Sequence, residues 1–214
     1  MALEELDLEL GSTEIPGGIN ALITEAEKRV NAFFDSEANK RFPRYLPSDF
    51  VTSYEVLAAL AREKLGLGKV FCEWGSGFGV TACIAAMMGH EAYGIEIEPQ
   101  LIQESKALAA AFDLPVEFVC TSYVPEGFEI YSTGSDEYAL TNDTYLISDW
   151  YKRPKPVYTG LSVEPQDIDI FYVYPWPGEL DVMESMFDRV AVEGAILISY
   201  QGPDEVIVYR KVDE

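Results

Sequence analysis

Apolar residues in the first third of the chain recur at helical spacing. Beyond it, short apolar blocks alternate with amphipathic ones. From about Ile19 to Lys40, Leu22, Ile23, Ala26, Val30, Phe33 and Phe34 mark one face of a helix. Pro43 and Pro47 then punctuate the chain. Thr52 followed by Glu55 has the spacing of a capping box, so a second helix is expected from there to Leu65, with Gly66 as its C-terminal stop. Lys69–Trp74 (KVFCEW) reads as a strand, and Gly75–Gly79 (GSGFG) as a glycine turn. Val80–Met88 reads as an Ala-rich helix and Ala92–Ile97 as a strand. Pro99 opens a helix to about Phe112. Val116–Cys120, Asp169–Tyr174, Ala195–Tyr200 and Glu205–Val212 complete the strands, with a helix at Gly178–Val190.

Strands that alternate with helices predict an α/β fold. It should be a Rossmann-like, mostly parallel sheet with helices on both faces. Gln201-Gly202-Pro203-Asp204 leaves no room for a crossover helix, so the last two strands should form an antiparallel hairpin. Residues 121–167 are too long for a plain connection and carry six of the thirteen tyrosines, at 123, 131, 138, 145, 151 and 158. They should hold structure of their own, as a lid-like insertion with those tyrosines mainly packing it. Residues 1–16 form an acidic tail. Leu6, Leu8 and Leu10 alternate with acids there, which suits either a short edge strand or a frayed end. The chain thus divides into the tail (1–16), a helical extension (17–66) and an α/β domain (67–214).

Composition narrows the partners. Fifteen Lys and Arg against thirty-seven Asp and Glu give a net charge of −22, which repels phosphate backbones and anionic lipid. Nucleic acid and membranes are disfavoured; a small molecule or a protein is the expected partner. No apolar run reaches the length of a membrane span and the N-terminus has no signal-peptide pattern. Cys72, Cys83 and Cys120 have no metal-ligand spacing and read as reduced thiols packed in a cytoplasmic protein. The single histidine, His90, precedes a strand at the edge away from any ligand crevice, so it is expected on the surface. That excludes a histidine zinc site and a histidine-dependent triad, and no metal is expected.

The chemistry lies at the glycine turn. Gly75, Gly77 and Gly79 let the backbone bend sharply from strand into helix, where free N–H groups face a crevice. A dinucleotide fingerprint would place its third glycine at Val80. Glu73, two residues before the first glycine, would repel a pyrophosphate but suits a cationic amine. Glu96 ends the next strand, 21 residues after Gly75, and can accept from a ribose diol; Glu98 is its weaker competitor. An amine, a ribose and no phosphate describe S-adenosylmethionine. A crevice blocked by side chains, or shaped for a diphosphate, would contradict this reading.

The segments FCEWGSGFG and YGIEIEP resemble the acid-x-G-x-G-x-G and second-strand motifs of the class I S-adenosylmethionine-dependent methyltransferases. The resemblance runs from Val70 to Val119. It implies cofactor binding by Glu73, Gly75, Ser76, Gly77, Gly79 and Glu96, with Ile97 against the adenine. Thr121 and Ser122 stand where many members place a polar residue at the adenine N6. The later strand tip, Tyr174-Pro175-Trp176-Pro177-Gly178-Glu179, resembles in outline the [DN]-P-P-[YFW] signature of amino-group methyltransferases, with Tyr174 in place of the acid or Asn and Trp176 in place of the second Pro. Tyr174, Trp176 and Glu179 are the candidate catalytic or wall residues. The expected activity is methyl transfer to a small-molecule or protein acceptor. The alternatives are a non-catalytic cofactor-binding or protein-interaction module on the same fold and, behind it, an NAD-dependent oxidoreductase.

Overall fold

The structure, a computed structural model, describes residues 3–11, 14–36, 38–126, 128–132, 138–141, 157–202 and 205–213. In chain order the strands are β1 (Leu3–Glu5), β2 (Val70–Trp74), β3 (Glu91–Glu96), β4 (Glu117–Cys120), β5 (Glu129–Ser132), β6 (Tyr138–Thr141), β7 (Ile170–Val173), β8 (Ile196–Gly202) and β9 (Glu205–Lys211). The helices are α1 (Gly17–Asp35), α2 (Phe50–Glu63), α3 (Val80–Met87), α4 (Pro99–Ala111) and α5 (Leu180–Val190).

Seven strands form one sheet in the order β1-β9-β8-β7-β2-β3-β4. β4, β3, β2, β7 and β8 run parallel, β9 returns antiparallel to β8 as the expected hairpin, and β1 pairs antiparallel with β9. The acidic N-terminus contributes an edge strand, but at Leu3–Glu5 rather than along the alternating Leu6, Leu8 and Leu10, and this short acidic strand is itself the sheet edge. The chain builds outward from β2 to β4 and then resumes at β7, on the other side of β2. The gap between the tips of β2 and β7 is thus a topological switch point, where parallel sheets leave a crevice.

Strand alternation divides the core. Phe71, Ile170, Tyr172 and Ile198 pack with the buried faces of α1, α2, α3 and α4. Cys72, Trp74, Phe171, Val173 and Leu197 pack with α5. The insertion holds its own antiparallel pair, β5 with β6, and β6 lies alongside α5. Tyr145 and Tyr151 lie outside the described residues; Tyr158 is buried in the α5-side core.

Several local expectations are corrected. α1 ends at Asp35, and Ala38–Arg41 forms a separate 3-10 turn. Asp49, not Thr52, caps α2: its carboxylate accepts from the Thr52 N–H at 2.7 Å, and an Asp side chain reaches that donor with no need of a box. The helix closes on Lys64 in a left-handed conformation (φ 56°), two residues before Gly66. Cys120 is exposed, because β4 is the sheet edge, whereas Cys72 and Cys83 are buried as expected. Burial pushes the Cys83 thiol up to about 12. His90 is half-buried near Phe71, and burial holds its imidazole below the usual value. Among the described residues, no helix is long and apolar enough to cross a membrane.

Candidate functional site

Strand register brings the two acids together. Glu73 pairs with Gly94 across β2 and β3, so Glu96, two residues further on, rises on the same face one step beyond it. Both are buried, at 7% and 8% exposure. Glu73 accepts from the Ala82 N–H at 3.0 Å, in the first turn of α3. That helix begins at Gly79, which has no side chain to cap it, so an acid from the neighbouring strand serves its free donors and its positive end. Burial nevertheless dominates and raises the Glu73 carboxyl to about 8, with Glu96 adding to the rise. Burial raises Glu96 as well, against the opposing effect of its backbone hydrogen bonds.

The turn between them is stitched down. Ser76 N–H donates to the Ile95 carbonyl at 2.8 Å, and Gly79 N–H to the Ser76 carbonyl at 2.6 Å. Glu96 accepts from Gly77 N–H through one oxygen and from Glu98 N–H through the other, both at 2.9 Å. Glu96 is therefore a staple between β3 and the glycine turn, with lone pairs left on both oxygens. Glu98 lends its backbone to this arrangement, which settles Glu96 as the acid seated in the turn. Glu96→Ala is expected to destabilise the fold by about 1–3 kcal/mol, the cost of leaving the buried Gly77 N–H unpaired. A thermal melt that matches wild type would remove Glu96 from this role.

The crevice above the turn is not open. A β-turn at residues 42–45, with Pro43 at its second position and Tyr45 N–H donating to the Phe42 carbonyl at 2.9 Å, leads into an extended strap over 45–49. The strap lays Tyr45 on the glycine turn: a Cβ on Gly77, whose φ is 51°, would meet the Tyr45 ring at 2.5 Å. Tyr45 stacks on Phe78 with centroids 5.3 Å apart and meets Phe33 edge-on at 5.6 Å. Burial, with Glu73 and Glu96 close by, raises its phenol far above the ordinary value. The cavity that remains is about 30 Å³, lined by Tyr45, Ser48, Glu73, Gly75, Tyr172 and Tyr174 among others. That is room for a water or two, not a nucleoside. The crevice is thus covered rather than open as expected, because the segment that follows the first helix folds over the carboxyl tips of the strands, a contact between residues distant in sequence.

A second tyrosine covers the other end. The Tyr123 ring lies 4.0 Å from a Cβ placed on Gly75 and stacks on Trp74 at 6.4 Å. Burial first, then Glu179, pushes its phenol up to about 12. At the β7 tip, Tyr174 lines the cavity and packs edge-on against Tyr200 at 4.8 Å. Glu179 is 5% exposed and forms an ion pair with Arg44 of the 42–45 turn. Trp176 donates its indole N–H to the Arg44 carbonyl at 3.2 Å and offers its ring to the guanidinium at 5.4 Å.

The remaining sequence-predicted residues are spread around this centre. Ser76 is buried beneath the turn, its hydroxyl 2.9 Å from a Cβ placed on Gly94. Ile97 is 65% exposed at the lip of β3. Thr121 N–H donates to the Glu96 carbonyl at 3.0 Å, and the Ser122 hydroxyl accepts from Val124 N–H at 3.0 Å. Sequence reasoning missed Arg44 and Tyr45. The available signal was Pro43, which suits the second position of a turn, and Pro47, which favours an extended Leu46 just ahead of the domain.

No protein-family model matches the sequence, and no curated protein matches it either. Solved structures do. An RNA methyltransferase from Salinibacter ruber, in complex with S-adenosyl-L-homocysteine, aligns over 79% of this chain and 95% of its own, with a TM-score of 0.50 and 17% identity. The fold is the Rossmann-like methyltransferase fold. The magnesium protoporphyrin IX methyltransferase of Synechocystis, with bound S-adenosyl-L-homocysteine, aligns over 81% of this chain and 70% of its own (TM-score 0.44, 16% identity). A methyltransferase from Thiobacillus denitrificans, in complex with the same compound, aligns over 69% of this chain (TM-score 0.42, 18% identity); the match spans about half its length, 46%. At such identities the likeness is one of fold.

Proposed function

We propose that this chain is an S-adenosylmethionine-dependent methyltransferase. The observation that carries the reading is the pair of buried carboxylates, Glu73 and Glu96, on one sheet face at either end of a glycine turn beside the topological switch point. The donor set fits the cofactor's chemistry. Glu73 would meet a cationic amine, Glu96 has lone pairs left for a ribose diol, and Gly75 and Gly77, lacking a Cβ, would allow close approach once Tyr45 is displaced. Ile97 would flank the adenine, and Ser122 would meet its edge. When bound, S-adenosylmethionine supplies a methyl group that its sulfonium makes electrophilic. The chain's own part is alignment and exclusion of water. Tyr174 and Trp176 form an aromatic wall at the β7 tip, and Glu179 stands where a carboxylate can take a proton from the acceptor. The acceptor is a small molecule or a protein side chain, in keeping with the net charge of −22.

Tyr45 must leave for the nucleoside to enter. Calorimetric titration with S-adenosylhomocysteine and, in parallel, with NADH tests the reading. Binding of the first and not the second is expected. Tyr45→Ala, which empties the place above Gly77, is expected to associate with S-adenosylhomocysteine about tenfold faster or more, as pre-opening removes the cost of displacing the ring. If neither wild type nor Tyr45→Ala binds it, the reading is wrong. The filled crevice and Tyr174 at the strand tip favour a second reading, a binding module without turnover. Its expected result is binding with no methyl transfer to any of a broad acceptor panel.

A further inference from the structure

The turn that precedes the strap brings a second residue, Arg44, to the β7 tip. Glu179 is buried at the N-terminus of α5, yet the cation that meets it comes from outside the sheet. It is Arg44, whose side chain is 62% exposed and 135 residues away in sequence. Trp176 completes the surroundings: its backbone N–H donates to the second Glu179 oxygen at 3.4 Å, and its ring faces the guanidinium. A buried carboxylate with an aromatic face beside it is selective for a planar or compact cation, through charge-assisted hydrogen bonds on one side and the ring quadrupole on the other. Arg44 approaches from solvent and is mostly wet. Exchanging it for another guanidinium leaves Glu179 as well paired as before.

We propose that the β7 tip is a subsite for a guanidinium or ammonium group, and that Arg44 occupies it as the chain's own stand-in. The acidic surface draws such groups towards the crevice. That the cation is the methyl acceptor rests on the proposed function; the subsite itself rests on Glu179, Trp176 and Arg44.

Ligand-observed NMR titrations with no cofactor present test this. The probes are butylguanidine and its neutral isostere butylurea. Arg44→Ala is expected to bind butylguanidine about tenfold tighter than wild type, because the tethered competitor is gone. Butylurea should bind neither protein. Arg44→Ala combined with Glu179→Gln should lose butylguanidine by about tenfold or more. Binding that survives Glu179→Gln is general attraction to the acidic surface and overturns the proposal. So does the absence of butylguanidine binding to an Arg44→Ala protein that still melts cooperatively. If that variant does not fold, Arg44→Gln, neutral and of similar reach, gives the same reading. A Gly-Arg-Gly peptide forms the second arm: tighter binding than butylguanidine points to a protein side chain, weaker binding to a small molecule, and either order upholds the cation chemistry. S-adenosylhomocysteine binding without guanidinium binding would sink this proposal alone. The converse would sink the methyl-transfer reading alone.

Discussion

Gly79→Ala is expected to lower stability by about 2–4 kcal/mol, the sum of a left-handed backbone and an overpacked core. The residue sits at φ 67°, where an L side chain is strained. A Cβ there would also lie 2.4 Å from two atoms of the Phe118 ring and 2.8 Å from Ser105 Cβ. Both neighbours are buried, at 3% and 0% exposure, so neither can swing into solvent. Phe118 cannot retreat towards β3 either, because a Cβ on Gly94 would already be 2.5 Å from it. For a chain of this size the melting temperature should fall by about 5–15 °C. Gly89→Ala is the control. Its φ is 88° but nothing lies within 4 Å of its Cβ, so it isolates the backbone contribution, about 1 kcal/mol. Equal losses at 79 and 89 would show that the ring does not pack against the turn.

Stability should depend on pH through Glu73. Its carboxyl titrates at about 8 in the folded protein, against 4.5 for the ordinary group, because burial disfavours the charge. Below pH 4.5 the group is protonated in both states and its contribution is fully present. As pH rises from 4.5 to 8 the unfolded chain ionises while the folded one resists, and stability falls. Above 8 the buried group ionises too and the loss levels off. Glu73→Gln keeps an oxygen for the Ala82 N–H but never ionises. It should match wild type near pH 4 and exceed it at pH 9 by an amount on the order of a few kcal/mol. Denaturant titrations at the two pH values measure the difference; a gap that does not widen with pH would place the Glu73 charge in water. The same group predicts a binding signature. A cationic amine beside Glu73 favours the carboxylate, so S-adenosylhomocysteine binding at pH 7 should release a proton, visible in calorimetry as a heat that varies with the buffer's ionisation enthalpy.

The local chemistry of the site was legible because it is built into short-range geometry. The period of two along a strand makes Phe71 and Glu73 share one face and Cys72 and Trp74 the other. A sharp strand-to-helix turn needs residues free of a Cβ, which marks Gly77 and Gly79 in any reading. The hairpin at Gln201–Asp204 followed from the lack of room for a helix, and β8 and β9 are antiparallel. Glu96, the acid at the strand tip, is bonded to Gly77, a contact set by the strand register and the turn. Helix ends were less legible. Asp49 and Thr52 are both good caps by composition, and only the geometry of the strap selects Asp49.

By itself, the amino-acid order determined the alternating α/β layout and the glycine turn, since each follows from interactions within a few residues; the strand register then set Glu73 and Glu96 on one face. Only the tertiary structure decided that Tyr45 covers Gly77, that Arg44 meets Glu179 across 135 residues, that β1 completes the sheet edge and that Cys120 faces solvent. Those outcomes depend on which surfaces are left uncovered once the sheet is assembled. An apolar ring or a buried charge is then satisfied by whatever segment reaches it, however distant in the chain.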